Sequence, residues 1–501
     1  MKLGLLCDAA GIACPATERE REIRAIETDS RRVTDGSLFV CIRGFHADGH
    51  DFIEDVMRAG AVAAVTERGR GAPDLHPGLL LLESDDTRRA TAYLYDAWYG
   101  FPSRRLRLIG VTGTNGKTSV THMLRAILEG ALFRCGLIGT VGCESVGRHL
   151  DSRGANDLAN MTTPDPPELY RMLWQMAEDG VEYVLMEVTS HALTLQKLAP
   201  LTFEAAIFTN LTPEHLDFHK TMEAYANAKA TLFEKSRLSV VNLDSPFAET
   251  MIRHASGRVV TCGIRREADF RAETVRDDGE GVIYELRSGS SRQILRCPIP
   301  GEFSVTNSMQ AAVTAMQLGV SVGSVKASLS ALSGVKGRME RVKLGLGADF
   351  TVLIDYAHTP DALENLLRTA SPLRGRGGRL ILLFGCGGDR DRGKRPVMGR
   401  VASDNADLVI VTSDNSRSED ATDIINEITV GMREETPRAV IVDRAAAIGY
   451  AIDNARAGDV VLLAGKGHEE YEITSAGRRH FDEREIVRQA FARRRKRNEN
   501  D

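Results

Sequence analysis

Apolar residues along the 501-residue chain gather in short runs rather than in sustained alternation. Leu106–Ile109, Val181–Glu187, Ala205–Thr209, Phe350–Asp355, Leu380–Phe384, Leu408–Val411 and Val460–Leu463 are of this kind. Mostly apolar runs of strand length suit strands covered on both faces, the condition of a parallel sheet. Between them apolar positions recur at helical spacing, as in Asp165–Asp179 and Met222–Glu234. Strands alternating with helices predict an α/β fold.

The pattern divides the chain into three zones, as the length also suggests. Ser37–Ile42 and Ala61–Val65 alternate with helical stretches in a small N-terminal α/β domain at 1–103, closed by Gly100-Phe101-Pro102-Ser103. A central domain at 104–335 carries a parallel sheet of the phosphate-loop ATPase type. Its rhythm changes over 257–300 to short β-like runs, read as an antiparallel appendage. A C-terminal Rossmann-like domain at 336–501 forms a second open sheet, and such sheets bind ligands beyond the carboxyl ends of their strands.

Composition narrows the function classes. A net charge of −5 gives no broad surface for nucleic acid. The basic run Arg493–Arg497 reads as a solvated tail. No apolar stretch is long enough to insert in a membrane, and the acidic residue at Asp8 comes too early for a secretory leader. Eight scattered cysteines without a Cys-x-x-Cys pair suit reduced thiols in a cytoplasm rather than a disulfide framework or zinc site.

The densest chemistry lies at 110–119, Gly-Val-Thr-Gly-Thr-Asn-Gly-Lys-Thr-Ser, between a strand run and the helical pattern Lys117–Leu128. Glycines let backbone N–H groups turn toward an anion, and the helix N-terminus adds partial positive charge. Gly113, Thr114, Asn115 and Gly116 would form the cradle. Lys117 would reach the outer phosphates of ATP and Thr118 would hold Mg²⁺. Val111 stands where the strict motif has glycine, so the loop is a shortened relative.

Other strand ends are also loaded. Glu187-Val188-Thr189-Ser190-His191 follows one run and Thr209–His219 another, making Glu187 and His215 the candidate Mg²⁺ ligands. Magnesium prefers oxygen, so histidine there is unusual. Lys229, among small residues on a helix, reads from spacing alone as a surface lysine. In the last zone the strands lead into Asp355–Asp361, Gly385–Arg395, Ser413–Arg417 and Gly465–Glu469. The glycines and basic residues of Gly385–Arg395 suit a phosphate or carboxylate. Both α/β zones are expected to offer their strand ends to one cleft.

These motifs in this order resemble the Mur ligases, ATP-dependent enzymes that build the peptide stem of bacterial cell wall. The resemblance runs over essentially the whole chain. It rests on Thr112–Thr118, the Glu187 and His215 segments, Gly301–Asn307, Gly337–Glu340, Asp355–His358 and Gly465–Glu469. Asp29-Ser30-Arg31, Thr162–Asp165 and the Asp-Asn-x-Arg at 414–417 are most similar to the members that add the third stem residue.

The resemblance implies that Ser30, Thr162, Thr163 and Ser190, with Thr189 and Lys197 beside them, bind UDP-N-acetylmuramoyl-L-alanyl-D-glutamate. It implies that Asn307, Arg338 and Asp355 bind the nucleotide. It makes Lys229 a carbamoylated metal ligand beside Thr118, Glu187 and His215, with Lys117, Glu187, His215 and Lys229 as the catalytic set. Arg390, Asp414, Asn415, Arg417, Gly465 and Glu469 would hold the amino acid.

Arg417 and Glu469 suit the distal carboxylate and ammonium of meso-diaminopimelate. L-Lysine is the alternative amino acid. Another Mur ligase or a folylpolyglutamate synthetase is the alternative enzyme, and a nucleotide-dependent switch or an inactive binding module the alternative class. Ser416 stands where the motif has proline, Lys197 where arginine is common, and Thr189 where serine is. The expected protein is a cytoplasmic bacterial monomer acting on small molecules.

Overall fold

The structure, a computed structural model, describes residues 1–44, 47–70, 78–150, 161–345 and 347–498. It divides into two compact units. One comprises Met1–Gly113, Leu128–Leu211 and His219–Thr261, the other Thr114–Ile127, Thr212–Phe218 and Cys262–Asp501.

The first unit begins with four parallel strands in sequential order, β1 (Ala25–Glu27), β2 (Ser37–Val40), β3 (Ala63–Glu67) and β4 (Leu80–Ser84). Alternate residues of β2 and β3 enter different cores. Leu38, Val40, Ala63 and Val65 join the cluster containing helices Leu3–Ala10 and Thr87–Trp98, whereas Phe39 and Ala64 pack with Ile53 and Val56 of helix Ile53–Arg58. That period of two is how a sheet covers both faces.

Helix Thr87–Trp98 is capped by Asp86, which accepts from the Arg89 N–H. It couples this sheet to the next. It packs against helix Pro166–Glu178 within one apolar core, Tyr99 stacks on Trp174 with ring centres 6.1 Å apart, and Arg105 pairs with Glu178 at 2.7 Å.

The larger sheet of this unit contains β5 (Arg107–Thr112), β6 (Cys135–Gly139), β7 (Gly142–Ser145), β8 (Arg148–His149), β9 (Tyr183–Glu187), β10 (Phe203–Phe208) and β11 (Ser236–Asn242). Their order is β11-β10-β5-β9-β6-β7-β8. The run from β11 to β6 is parallel, and β7 and β8 turn back as an antiparallel edge. Every residue of β9 is buried, in keeping with its apolar sequence up to the terminal Glu187. The helical pattern expected over Met222–Glu234 ends at Ala230 and gives way to a tighter turn at Phe233–Lys235.

In the second unit, after β12 (Arg258–Gly263), strands β13 (Phe270–Asp277), β14 (Val282–Ser288) and β15 (Ser291–Cys297) pair antiparallel, as the change of rhythm over 257–300 predicts. Helix Glu302–Gln317 covers them, and Tyr284 meets Ser308 across that contact at 3.0 Å. The second open sheet follows. Its strands are β16 (Glu340–Arg341), β17 (Thr351–Asp355), β18 (Leu380–Phe384), β19 (Leu408–Val411), β20 (Arg438–Val440) and β21 (Val460–Ala464), in the order β16-β17-β21-β18-β19-β20. All pair parallel except β16. A hairpin, β22 (Tyr471–Thr474) with β23 (Gly477–His480), precedes the last helix, Glu483–Asn498.

The basic run 493–497 is solvent-exposed except for half-buried Arg494, and it forms the end of the last helix. Arg494 donates to the Ile452 carbonyl and lies over the Phe350 ring, and Arg497 pairs with Asp453. The apolar stripe Ile486, Val487, Ala490 and Phe491 draws the helix onto the sheet's core and carries the arginines with it.

One buried ion pair ties two strand ends together. Arg444 and Glu483 both have fully buried side chains. The guanidinium donates to Glu483 Oε1 at 2.9 Å, to the Ser413 carbonyl at 3.0 Å and to the Ala464 carbonyl at 2.8 Å. Ser413 follows β19 and Ala464 ends β21. Arg444→Met leaves Glu483 buried without its counter-charge, and chemical denaturation should show a loss of about 3–5 kcal/mol. The double variant Arg444→Met/Glu483→Met should lose less than the single one.

Candidate active site

In the first unit the carboxyl end of β9 gathers hydroxyls around one carboxylate. Glu187, the last residue of the strand, is 1% exposed. Its oxygens accept from the Thr140 N–H and the Thr140 hydroxyl, each at 3.0 Å. A Cβ on Gly139 would fall 2.4 Å from Glu187 Oε1, so the close approach requires glycine. Thr140 meets Thr162 at 3.0 Å, while Thr163 donates to the Glu187 carbonyl at 2.8 Å and accepts from the Thr189 N–H at 3.1 Å. Thr189 caps the short helix Ser190–Thr194. Ser190 lies 2.8 Å from His219 Nε2, and Lys197 pairs with Asp165 at 2.7 Å.

Thr162, Thr163, Thr189 and Ser190 therefore belong to one hydroxyl-lined strand end. Ser30 opens a single turn, Ser30–Arg32, braced by the Asp29–Arg31 pair.

Lys229 is not on the surface. It is 2% exposed, donates to the Gly113 carbonyl at 3.0 Å and sits over the Tyr225 ring. Spacing alone misplaced it because its small neighbours resemble a solvent face. Those same small residues let the helix approach the loop after β5.

In the second unit the phosphate loop meets groups from distant parts of the sequence. The Thr114 hydroxyl donates to the Thr212 carbonyl at 3.2 Å and accepts from the Thr212 N–H at 3.0 Å. Lys117 donates to the Thr114 carbonyl at 2.8 Å, and the Thr118 hydroxyl accepts from Arg338 at 3.0 Å. Asn115 donates to Asp361 at 3.0 Å. Gly116 has a φ of +87°, and a Cβ there would fall 2.5 Å from Asn307 Oδ1.

Asn307 and Arg338 thus meet this loop, and Asp355 holds the segment that follows Arg338. Arg338 lies over the Tyr356 ring, and Asp355 accepts from the Met339 and Ala357 N–H groups, each at 2.8 Å. Burial raises the Asp355 carboxyl above its usual range, against the lowering effect of Arg338 and these N–H groups.

Glu214 and His358 are participants to which sequence reasoning assigned no role. Glu214 lies 3.7 Å from the imidazoles of both His215 and His358. Burial pushes the Glu214 carboxyl up, but His358, His215 and Lys117 outweigh it and hold the group far below the usual range. The adjacency of Glu214 to His215 in sequence was the available signal. The histidine backbone there is left-handed, with φ +56°.

Of the expected metal set, Glu187 and Lys229 belong to the first unit, Thr118 and His215 to the second. Among the described residues no three His, Cys, Asp or Glu side chains form a ready-made metal cluster. The hydroxyl of Thr118 and the carboxylate of Glu187 are the hard oxygen donors that Mg²⁺ prefers.

The strand ends of the second sheet form a separate polar network. Asp414, Asn415 and Glu469 are linked through Lys466. Its ammonium donates to Asn415 Oδ1 at 2.9 Å and lies 3.5 Å from Asp414 and 3.7 Å from Glu469. Asn415 donates in turn to Glu469 at 2.7 Å. Lysine and arginine hold the Asp414 carboxyl down at about 2 despite its burial, with Lys466 the larger influence and Arg444 the next. Burial and Asp414 push the Glu469 carboxyl up. Gly465, at φ +112°, has no room for a Cβ beside Asp414.

Arg417, also left-handed at φ +53°, donates to the Gly388 carbonyl at 2.8 Å. Arg390 is exposed on the neighbouring loop.

In that loop, Gly385–Arg395, the basic residues bond within the protein. Arg392 and Arg395 are engaged by Glu419 and Glu427, and Lys394 donates to the His358 carbonyl. Its glycines serve close packing: a Cβ on Gly385 or Gly388 would fall 2.4 Å from the Thr412 carbonyl or 1.9 Å from that of Ser416.

Residues 111–315 match the Mur ligase middle domain, 337–467 the Mur ligase glutamate ligase domain, and 22–79 the Mur ligase family catalytic domain. The UDP-N-acetylmuramoyl-L-alanyl-D-glutamate--2,6-diaminopimelate ligase of Clostridium botulinum is 38% identical over 470 residues, spanning 94% of this chain and 95% of the relative. The protein of the same name from Syntrophomonas wolfei is 42% identical over 477 residues, spanning 93% and 94%. A solved structure of a ligase bearing that name superposes with a TM-score of 0.69 at 30% identity, over 99% of this chain and 100% of the other. The MurF ligase of Thermotoga maritima, solved with ADP, shares the fold at a TM-score of 0.60 and 18% identity, over 95% and 98% of the two chains.

The loop geometry predicts that Gly116→Ala weakens binding of a fluorescent ATP analogue by about ten-fold or more, because the loop must leave Asn307. A second expectation concerns Glu419. Its hydrogen bonds from Arg395 and the Asp389 N–H hold the carboxyl at about 2, below its unfolded value. A depressed carboxylate adds stability above the unfolded pKa and loses it as pH falls toward the folded one. Glu419→Gln should therefore be destabilising at neutral pH, and urea melts should show the difference shrinking between about pH 4.5 and about pH 2.

Proposed function

The chain belongs to the Mur ligase family, and from that premise we propose that it joins meso-2,6-diaminopimelate to UDP-N-acetylmuramoyl-L-alanyl-D-glutamate, converting ATP to ADP and phosphate. The observation that carries the amino-acid choice is the network in which Arg417 and Glu469 share Asn415. Diaminopimelate ends in a carboxylate and an ammonium on one carbon. A guanidinium binds the first with two parallel hydrogen bonds, and a carboxylate receives the second.

The chemistry follows from leaving-group ability. A carboxylate resists attack by an amine because oxide is a poor leaving group. Transfer of the ATP γ-phosphoryl group to a D-glutamyl carboxylate oxygen gives an acyl phosphate and releases ADP. The amine then attacks the acyl carbon, the C–O bond to phosphate breaks, and an amide and inorganic phosphate result. In this reading the N–H groups of Gly113–Thr118 and the ammonium of Lys117 neutralise charge on the phosphates. Asn307, Arg338 and Asp355 orient the nucleotide.

Thr118, Glu187, His215 and Lys229 as a carbamate would hold Mg²⁺, whose contribution is electrostatic relief at the transferring phosphoryl group. Carbamoylation would replace the Lys229 cation by an oxygen ligand, which suits a buried side chain directed at the phosphate loop. Ser30, Thr162, Thr163, Thr189, Ser190 and Lys197 would bind the UDP-linked dipeptide. Arg390, Asp414, Asn415, Arg417, Gly465 and Glu469 would bind the amino acid.

The same reading divides the chain into domains at 1–103, 104–335 and 336–501 and has the protein acting as a monomer in the cytoplasm. No helix among the described residues is long and apolar enough to cross a membrane.

An ADP-release assay tests the proposal. ADP should form only when the UDP-linked dipeptide and an amino acid are both present, with meso-diaminopimelate preferred over L-lysine and L-ornithine. Arg417→Ala should lower kcat/KM for diaminopimelate by about 10–100-fold, the worth of a charged bidentate contact. Preference for lysine, or an unmoved Arg417→Ala, would refute the amino-acid assignment.

A further inference from the structure

The geometry points to Lys466 as the positioning residue that orients the carboxylate receiving the distal ammonium of the amino acid and supplies its counter-charge. This inference rests on the proposed ligase reading and adds a residue that does not itself touch substrate in that reading.

Lys466 sits in the turn after β21 with its side chain fully buried. Burying an ammonium is unfavourable unless its donors are matched. Here it donates to Asn415 Oδ1 at 2.9 Å and to the Tyr471 carbonyl at 3.0 Å, and it faces the Phe481 ring. Asn415 Oδ1 also accepts from the Ile473 N–H at 2.9 Å. With its oxygen taken by two donors, the amide has one workable orientation, because the flipped form would set NH₂ against an ammonium and an N–H. Its Nδ2 is thereby aimed at Glu469, where it donates to Oε2 at 2.7 Å. The sequence ammonium, amide oxygen, amide N–H, carboxylate therefore has a direction, and Lys466 sets it.

The second effect is charge. Glu469 is faced by Asp414 and Arg417 from the loop after β19, by Tyr356 from the loop after β17, and by Tyr471 from the hairpin, besides Lys466 itself. Arg444 faces Asp414 from its own helix. Two carboxylates in one buried site disfavour each other's ionisation unless a cation lies between them. Lys466 occupies that place, within 4 Å of both. Without it, burial and Asp414 would favour the protonated form of Glu469 further and weaken its ionic attraction for an ammonium.

The test is steady-state kinetics of the full-length protein with ATP, the UDP-linked dipeptide and meso-diaminopimelate, from about pH 7 to about pH 9. Lys466→Met should raise the amino-acid KM by about ten-fold or more at the lower pH while the other two KM values stay within about two-fold. The defect should shrink as pH rises and Glu469 ionises. Lys466→Arg should recover most of the wild-type KM.

Thermal melts report folding, and if Lys466→Met is unfolded, Lys466→Gln, which keeps a donor to Asn415 without the charge, carries the same expectation. An unchanged amino-acid KM, an equal rise for all three substrates, or a defect independent of pH would overturn the inference. Wild-type protein that forms no ADP with all substrates present would instead remove the ligase reading, and the inference with it.

Discussion

Strands buried on both faces dictate where chemistry can occur in this chain. In β9, β18 and β21 every residue is buried, and the backbone groups are spent on parallel ladders. A charged side chain inside such a strand would have neither water nor partner. Polar groups are therefore driven to the residues where the ladder stops. Register then aligns those stops. Asp355 pairs with Ala464, Leu383 with Leu463, and Phe384 with Val411, so the segments beginning at Tyr356, Gly465, Gly385 and Thr412 leave the sheet at a common level. The same rule puts Glu187 at the last position of β9 and Thr112 at the last of β5, where the phosphate loop begins.

This constraint explains which features could be read from the amino-acid sequence. Apolar runs and the loop at 112–118 are local signals, and their elements formed where the pattern predicted, although β5 runs on to Thr112 and the helix from Met222 stops at Ala230. What surrounds the strand ends depends on contacts far apart in sequence. Nothing near Arg395 announces Glu419 and Glu427, and nothing near Arg444 announces Glu483, although each arginine is fully buried among these carboxylates. Weak strands escaped for a different reason. β6 carries glycine at two of its five positions and offers little side-chain signal. Lys229 shows the limit of periodicity most clearly, since spacing made it a surface residue and only the family resemblance gave it a place at the site.

The loop bearing Arg417 shows how one missing local constraint is replaced by several distant ones. Ser416 lacks the fixed φ of the proline that the motif carries elsewhere, so the unfolded loop has more conformations to lose. In the folded chain the Asn415 carbonyl accepts from Gly388, Arg417 donates its N–H to Ile473 and its guanidinium to the Gly388 carbonyl, and Glu419 is held by Arg395. These bonds come from the glycine-rich loop, the hairpin and the helix after β18, so three separate elements define the backbone angles at Arg417. Glycines at 385 and 388 are what allow the approach, because any side chain there would meet a carbonyl of the facing loop.

In the proposed reading, amino-acid selection depends on the charged pair together with the residues that hold it in place. Arg417 and Glu469 present opposite charges, but a flexible lysine-like ligand and a terminal amino-acid group differ mainly in the second charge and its fixed geometry. Discriminating them requires that the guanidinium keep one direction, since a guanidinium free to turn would gain from either ligand's solvent-exposed end without favouring the planar carboxylate. Rigidity supplied by Arg395, Arg444 and Lys466 therefore converts two ordinary charges into a selective pair. In the proposed reading, loss of any one of these supports would weaken amino-acid selection, while the residues proposed for the nucleotide keep their own bonds: Thr114 with Thr212, Lys117 with the Thr114 carbonyl, Thr118 with Arg338 and Asp355 with the Met339 N–H.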